Sequence, residues 1–144
     1  MSINIKTNLH LIGKNSEDLK IISAYIQDSI VTIKDIVFLE KNRIFVMMVN
    51  RFMWENFYEK KRIRCAIKFD EGLKAKAKKI NQKNINARLE CLAIKCDEVL
   101  NKNFEIKIFF SGQGVITLIS EVIEVILHDL GKAWNVKHIP IHKI

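Results

Sequence analysis

The sequence has a single proline and five glycines among 144 residues, which excludes collagen-like, proline-rich and glycine-linker chains. Long apolar runs are missing too. None approaches the ~18 residues that argue for a membrane-spanning helix, and the start, MSINIKTNLH, has neither a continuous apolar stretch nor a small-residue cleavage site. A secretory signal is therefore not expected, and the cytoplasm is the default location. Cysteine is scarce. Cys65, Cys91 and Cys96 are odd in number, and each is flanked by apolar residues. The spacing of Cys91 and Cys96 lacks the paired ligand clusters of a structural zinc site, so buried free thiols are expected.

Catalytic motifs are equally sparse. In Ser111-Gly112-Gln113-Gly114 the serine precedes the glycines instead of sitting between them on a strand-to-helix elbow. The chain has no G-x-x-x-x-G-K-[ST] phosphate cradle and no dinucleotide fingerprint. His138 and His142 are separated by Pro140 and cannot share a helical face. His128 and Asp129 are neighbours that a helix splays about 100° apart. No catalytic residue, metal ligand or cofactor is expected from these groups.

What the chain does have is enough apolar residues for one domain, 1–144, and a concentrated charge. The formal net charge is +8. Isoleucine, lysine and asparagine supply 55 of the 144 residues, a bias that A/T-rich codons produce, so lysine abundance alone says little about a polyanion partner. Position says more. Between residues 60 and 88 eleven basic residues stand against two acids, a net of +9, while the rest of the chain is close to neutral. Within that stretch Lys74, Lys76 and Lys78 recur every second residue, which on a strand points three ammonium groups to one face. They read either as a solvated strand edge guarded against aggregation or as a polyanion site.

Along the chain, residues 9–12, closed by Gly13, suit a short first strand. Ser16 followed by Glu17 and Asp18 opens an amphipathic helix over 17–28, with Leu19, Ile22 and Ile26 on its apolar side. From Ile30 the period changes to two. The segments 31–40 and 43–53 flank Lys41-Asn42 and predict a β-hairpin. Further strands are expected at 62–70, 73–80, 87–97, 104–111 and 114–120, the last two joined at Gly112-Gln113-Gly114. Ser120 then caps a second helix over 121–130, with Val122, Ile123, Ile126, Leu127 and Leu130 on its apolar side and Gly131 after its end. Missing crossovers exclude parallel βαβ units. The expected class is α+β: a strongly bent antiparallel sheet or partial barrel, pleckstrin-homology-like in topology, with an N-terminal helix and a C-terminal capping helix.

In Asn50-Arg51-Phe52-Met53-Trp54-Glu55, polar, cationic and aromatic groups alternate. On a strand Asn50, Phe52 and Trp54 share one face, and Arg51, Met53 and Glu55 the other. The aromatics suit either a core or a recognition strip. Together with Glu17-Asp18-Leu19, Ser23-Ala24-Tyr25-Ile26-Gln27-Asp28 and Asp129-Leu130-Gly131-Lys132-Ala133-Trp134, this motif resembles an uncharacterised bacterial domain-of-unknown-function family of alphaproteobacterial type, over residues 9–137. The resemblance implies a single-domain cytoplasmic protein and carries no activity.

These features lead to a non-enzymatic binding or adaptor domain of unknown partner. Its surface is expected at Asn50, Arg51, Trp54, Lys60, Lys61, Arg62, Arg64, Lys74, Lys76 and Lys78. A nucleic acid would offer phosphates to the cations, with Trp54 or Phe57 stacking an unpaired base. A protein or an anionic lipid would use the same cations without stacking. The alternative is a small enzyme with a polar pocket around Asn50, Arg51, Glu55 and Asp70. A carboxylate of raised pKa in a cleft favours the enzyme, and an exposed basic face favours the binding domain.

Overall fold

A computed structural model of the chain describes residues 8–98 and 102–141. The elements in chain order are β1 (His10–Gly13), α1 (Ser16–Ile26), β2 (Ser29–Leu39), β3 (Ile44–Phe52), β4 (Lys61–Phe69), β5 (Gly72–Lys78), β6 (Arg88–Glu98), β7 (Phe104–Phe110), β8 (Val115–Ser120) and β9 (Val125–Asn135). All nine strands join one antiparallel sheet in the order β1-β9-β4-β3-β2-β6-β7-β8-β5. Short 3-10 turns follow β2, β3 and β7.

Local sequence accounts for most of these elements. The helix α1 begins one residue earlier than expected, because Asn15 rather than Ser16 caps it: its side-chain oxygen accepts from the Asp18 backbone N–H at 2.8 Å. Leu19, Ile22 and Ile26 are its buried residues. The β2–β3 hairpin forms around the 3-10 turn at Glu40–Asn42, and the positive φ falls on Arg43 instead of Asn42. Gly112 and Gln113, with φ of 74° and 67°, turn β7 into β8.

The expected C-terminal helix over 121–130 is not there. That segment runs into β9, and α1 is the one α-helix among the described residues. The α+β class with two flanking helices is thereby corrected to a nine-stranded antiparallel sheet carrying one helix, and the pleckstrin-homology-like comparison goes with it. The physical reason lies in the inward residues. Ile123, Val125, Leu127 and Asp129 are buried while Glu124, Ile126 and His128 are not, a clean period of two. Asp129 in the inward register hid that period from a hydrophobicity count, and β-branched residues at 122, 123, 125 and 126 favour the extended chain. Gly131, expected after a helix end, instead takes φ 71° where β9 gains extra residues opposite Arg62 to Arg64 of β4.

Connection lengths show how the sheet is rolled. Strand β4 is third in the order and β5 ninth, six strand spacings or roughly 29 Å apart on a flat sheet. Only Asp70 and Glu71 link them, so the sheet folds back and its halves face each other. The β8–β9 link makes the same crossing at the same end. Asp70 N–H donates to the Glu124 carbonyl at 2.9 Å, and Glu121 N–H to the Glu71 carbonyl at 3.3 Å. The enclosed core draws on both layers: Met47, Val49, Cys65, Ile67 and Leu127 from one, and Ile106, Ile108, Ile116 and Leu118 from the other, with Leu19, Ile22 and Ile26 of α1 packed among them. No helix among the described residues is long and apolar enough to cross a membrane.

Candidate functional site

On β3 the buried side carries Phe45, Met47, Val49 and then Arg51, a charge at the end of an apolar row. Sheet order supplies its partner: β9 lies two strands away, and Asp129, buried at 3% exposure, meets Arg51, which is fully buried. The guanidinium donates from Nε to Asp129 Oδ1 at 2.8 Å and from Nη2 to Asp129 Oδ2 at 2.7 Å. A second fork reaches Glu55, at 2.9 Å from Nη1 and 2.7 Å from Nη2, and Nη1 also donates to the Phe52 carbonyl at 3.4 Å. A guanidinium has five N–H donors, and all are used. Burial works against the charge, but the bonds and charges of Asp129 and Glu55 outweigh it and hold Arg51 more firmly protonated than an ordinary arginine.

This cluster is a structural joint. Asp129 Oδ2 accepts from the Leu9 backbone N–H at 2.8 Å, and Asp129 N–H donates to the Leu9 carbonyl at 3.0 Å, so the carboxylate also holds the start of β1. The Arg51 guanidinium lies 5.8 Å from the Tyr25 ring centre. Outside it, a groove of about 560 Å³ runs between α1 and the turn after β3, lined by Ile21, Tyr25, Trp54 and Glu55. Trp54 points its indole N–H to the Gln27 carbonyl at 2.7 Å and packs edge-on against Phe52, with ring centres 4.7 Å apart.

A different chemistry covers the outward face of β6, β7, β8 and β5. Lys76 stands opposite Thr117, Thr117 opposite Lys107, and Lys107 opposite Lys95, so one row across four strands bears three lysines over about 14 Å. The row beside it is Lys78, Val115, Phe109 and Ala93, and the one on the other side is Lys74, Ile119, Glu105 and Asp97. Five lysines thus stand against Glu105 and Asp97. Lys107 pairs with Glu105 at 3.3 Å, and the Lys95 ammonium sits 5.6 Å from the Phe109 ring centre. Lys74, Lys76, Lys78 and Lys95 are exposed.

The structure therefore divides the basic stretch between two layers. Arg62 and Arg64 lie on the outward side of β4. Arg62 Nη1 donates to the carbonyls of Asn50 at 2.9 Å and Asp28 at 3.3 Å, and its burial makes its proton less firmly held than usual, against the charges of Glu90 and Asp28. Arg64 donates to Asn50 Oδ1 at 3.2 Å and pairs with Asp35 at 3.2 Å. Lys61 pairs with Glu59 at 3.5 Å, and Lys60 is exposed with φ 50°. Lys74, Lys76 and Lys78 share their face with Lys95 and Lys107, two residues the charge count between 60 and 88 could not include. Their only sequence signal was their place as outward residues of the strands at 87–97 and 104–111.

Trp54 belongs to the Arg51 layer, whereas Phe109 lies among the lysines. The Phe57 side chain and His142 lie outside what the structure describes. Of the residues grouped for an enzyme pocket, Arg51 and Glu55 are bonded. Asn50 points to the other side of β3, and Asp70 lies past the far end of β4, paired with Lys68 at 3.5 Å. His10 and His128 face each other across β1 and β9, with ring centres 4.7 Å apart. Among the described residues no three of His, Cys, Asp and Glu converge as metal ligands. Cys65 and Cys91 are buried and Cys96 is half-buried, all free. Burial pushes the Cys91 thiol up to about 12, and raises Cys65 and Cys96 as well.

These features define a rolled antiparallel domain with a charge-saturated joint inside one layer and a cationic face outside the other. The sequence model of the family described as protein of unknown function (DUF2948) matches residues 9–142, and the chain belongs to that family. No curated protein and no solved structure matches it.

Proposed function

We propose that the protein is a non-enzymatic binding domain that takes single-stranded nucleic acid on the outward face of β5, β8, β7 and β6. The observation that carries this reading is the row Lys76, Thr117, Lys107, Lys95, with Phe109 in the neighbouring row. Phosphates are drawn by the lysines, and a flat aromatic among them offers a surface on which a base can stack. Thr117 adds a neutral hydroxyl to the row. The arginines of β4 are held by Asn50, Asp28 and Asp35, and the Arg51 guanidinium has no donor left, so the binding set narrows to Lys74, Lys76, Lys78, Lys95 and Lys107. The reading takes the whole chain as one domain, supported by a core that both layers share, and places it in the cytoplasm, supported by its free cysteines.

The test is fluorescence anisotropy with a labelled single-stranded oligonucleotide at low ionic strength, set beside a duplex of the same sequence and vesicles containing anionic lipid. Wild type is expected to bind the single strand best. The triple variant Lys76→Glu, Lys95→Glu, Lys107→Glu is expected to lose that binding with its circular dichroism unchanged. Equal binding by the variant, or binding to vesicles alone, overturns the reading.

A further inference from the structure

A second site lies where the rolled sheet is not closed. Among the described residues edge strand β5 pairs along its length with β8 alone, its start also tied by the Gly72 N–H to the Arg43 carbonyl at 2.9 Å, and β2 beyond residue 35 pairs only with β3. Between them opens a pocket of about 450 Å³, whose apolar walls include Phe38, Phe45, Ile80, Ile85 and Ile116. Phe45 and Ile116 at its floor are core residues, while Lys34, Lys76, Ala77, Gln82 and Ile85 around its rim are exposed. Its polar lining residues are Lys34, Lys76 and Gln82, and it has no carboxylate. Neither lysine makes an ion pair among the described residues.

The walls are fixed in place. Ile33 and Lys34 donate their backbone N–H groups to the carbonyls of Ala87 and Ile85, each at 2.9 Å. At the other end Ile80 is wedged against Gly114, where a Cβ would stand 2.8 Å from Ile80 Cγ1, and Lys79 Nζ donates to Gln113 Oε1 at 2.9 Å. A pocket held this way needs little ordering when filled.

We infer that this pocket binds one amphipathic monoanion, a linear carboxylate of the medium-chain fatty-acid type. The tail lies against Phe38, Phe45 and Ile116, and the carboxylate meets Lys34 at the mouth. Apolar walls alone would take any oily molecule. Lys34, exposed and unpaired at the mouth of a pocket lined by no carboxylate, selects a negative head.

Isothermal titration of the full chain with decanoate, dodecanoate and decanol tests the assignment. Decanoate is expected to bind at one saturable site, and dodecanoate more tightly by roughly fourfold for each added methylene. Decanol should bind at least about fivefold more weakly, for want of the charge. Lys34 and Ala77 are exposed residues lining the pocket, so Lys34→Glu and Ala77→Trp should keep the wild-type melting temperature while each weakens decanoate about tenfold or more. No saturable binding, equal affinity for decanol and decanoate, or unchanged binding in both variants overturns the inference. Lys34 is not part of the lysine row, so Lys34→Glu should leave oligonucleotide binding intact, and this site and the nucleic-acid reading fail separately.

Discussion

The Arg51 joint and the lysine face use positive charge in opposite ways. Arg51 has no exposure, and its five donors all find acceptors in Asp129, Glu55 and the Phe52 carbonyl. Lys74, Lys76, Lys78 and Lys95 are exposed, and none makes an ion pair among the described residues. A buried cation must be saturated, because an unmatched charge in a core is strongly destabilising. A hydrated lysine can stay unmatched in the fold and wait for a phosphate. The contrast separates a charge that holds the fold from charges that leave the fold untouched and are open to a partner.

Substitutions on the two sides should separate in that order. Leu127→Asp puts an unpaired carboxylate into the core and is expected to abolish cooperative unfolding, whereas Ile126→Asp, on the outward side of β9, should leave a folded protein. If Ile126→Asp unfolded the chain and Leu127→Asp did not, the inward register of β9 would be wrong. Asp129→Ala leaves Arg51 with Glu55 as its one carboxylate partner and should lower stability by about 3 to 5 kcal/mol in urea melts. Pairing it with Arg51→Met removes the stranded charge and should restore much of the loss; a double variant no better than the single one would mean that the joint is not electrostatic.

The buried thiols set a smaller effect. Burial raises Cys91 to about 12 and raises Cys65 too, so the folded chain keeps protons that the unfolded chain releases from about pH 9. Their contribution is complete below that pH and is lost as pH rises toward 12, at about 1.4 kcal/mol per pH unit for each thiol. The stability difference between wild type and Cys91→Ala should therefore shrink between pH 9 and pH 11; a constant difference would refute a thiol held neutral. Least of all, Lys74→Glu, Lys76→Glu and Lys78→Glu should each change stability by no more than about 0.5 kcal/mol. A larger loss would mean that the face is part of the fold.

Strands, hairpins and the first helix were legible because their periods and turn residues are local. The end of the chain was not. Asp129 looked polar in a run that could otherwise alternate, and its partner Arg51 stands 78 positions earlier in the sequence, a match that only sheet order reveals. The same order splits the basic stretch: Asp70 and Glu71 carry the chain from one layer to the other, so Arg64 and Lys74 are near in sequence but face outward from different layers. It also joins Lys95 and Lys107 to Lys76, through register across three pairs of strands that no count along the sequence contains.

If the lysine row takes phosphates, its affinity must depend on salt. Single-strand affinity should be measured across a series of salt concentrations for wild type and for Lys76→Gln, Lys95→Gln, Lys107→Gln, since each phosphate contact contributes about −0.7 to the slope of log affinity against log salt. The triple variant should bind more weakly, with a slope flatter by about 2. A wild-type slope near zero, or the same slope in both proteins, would contradict it.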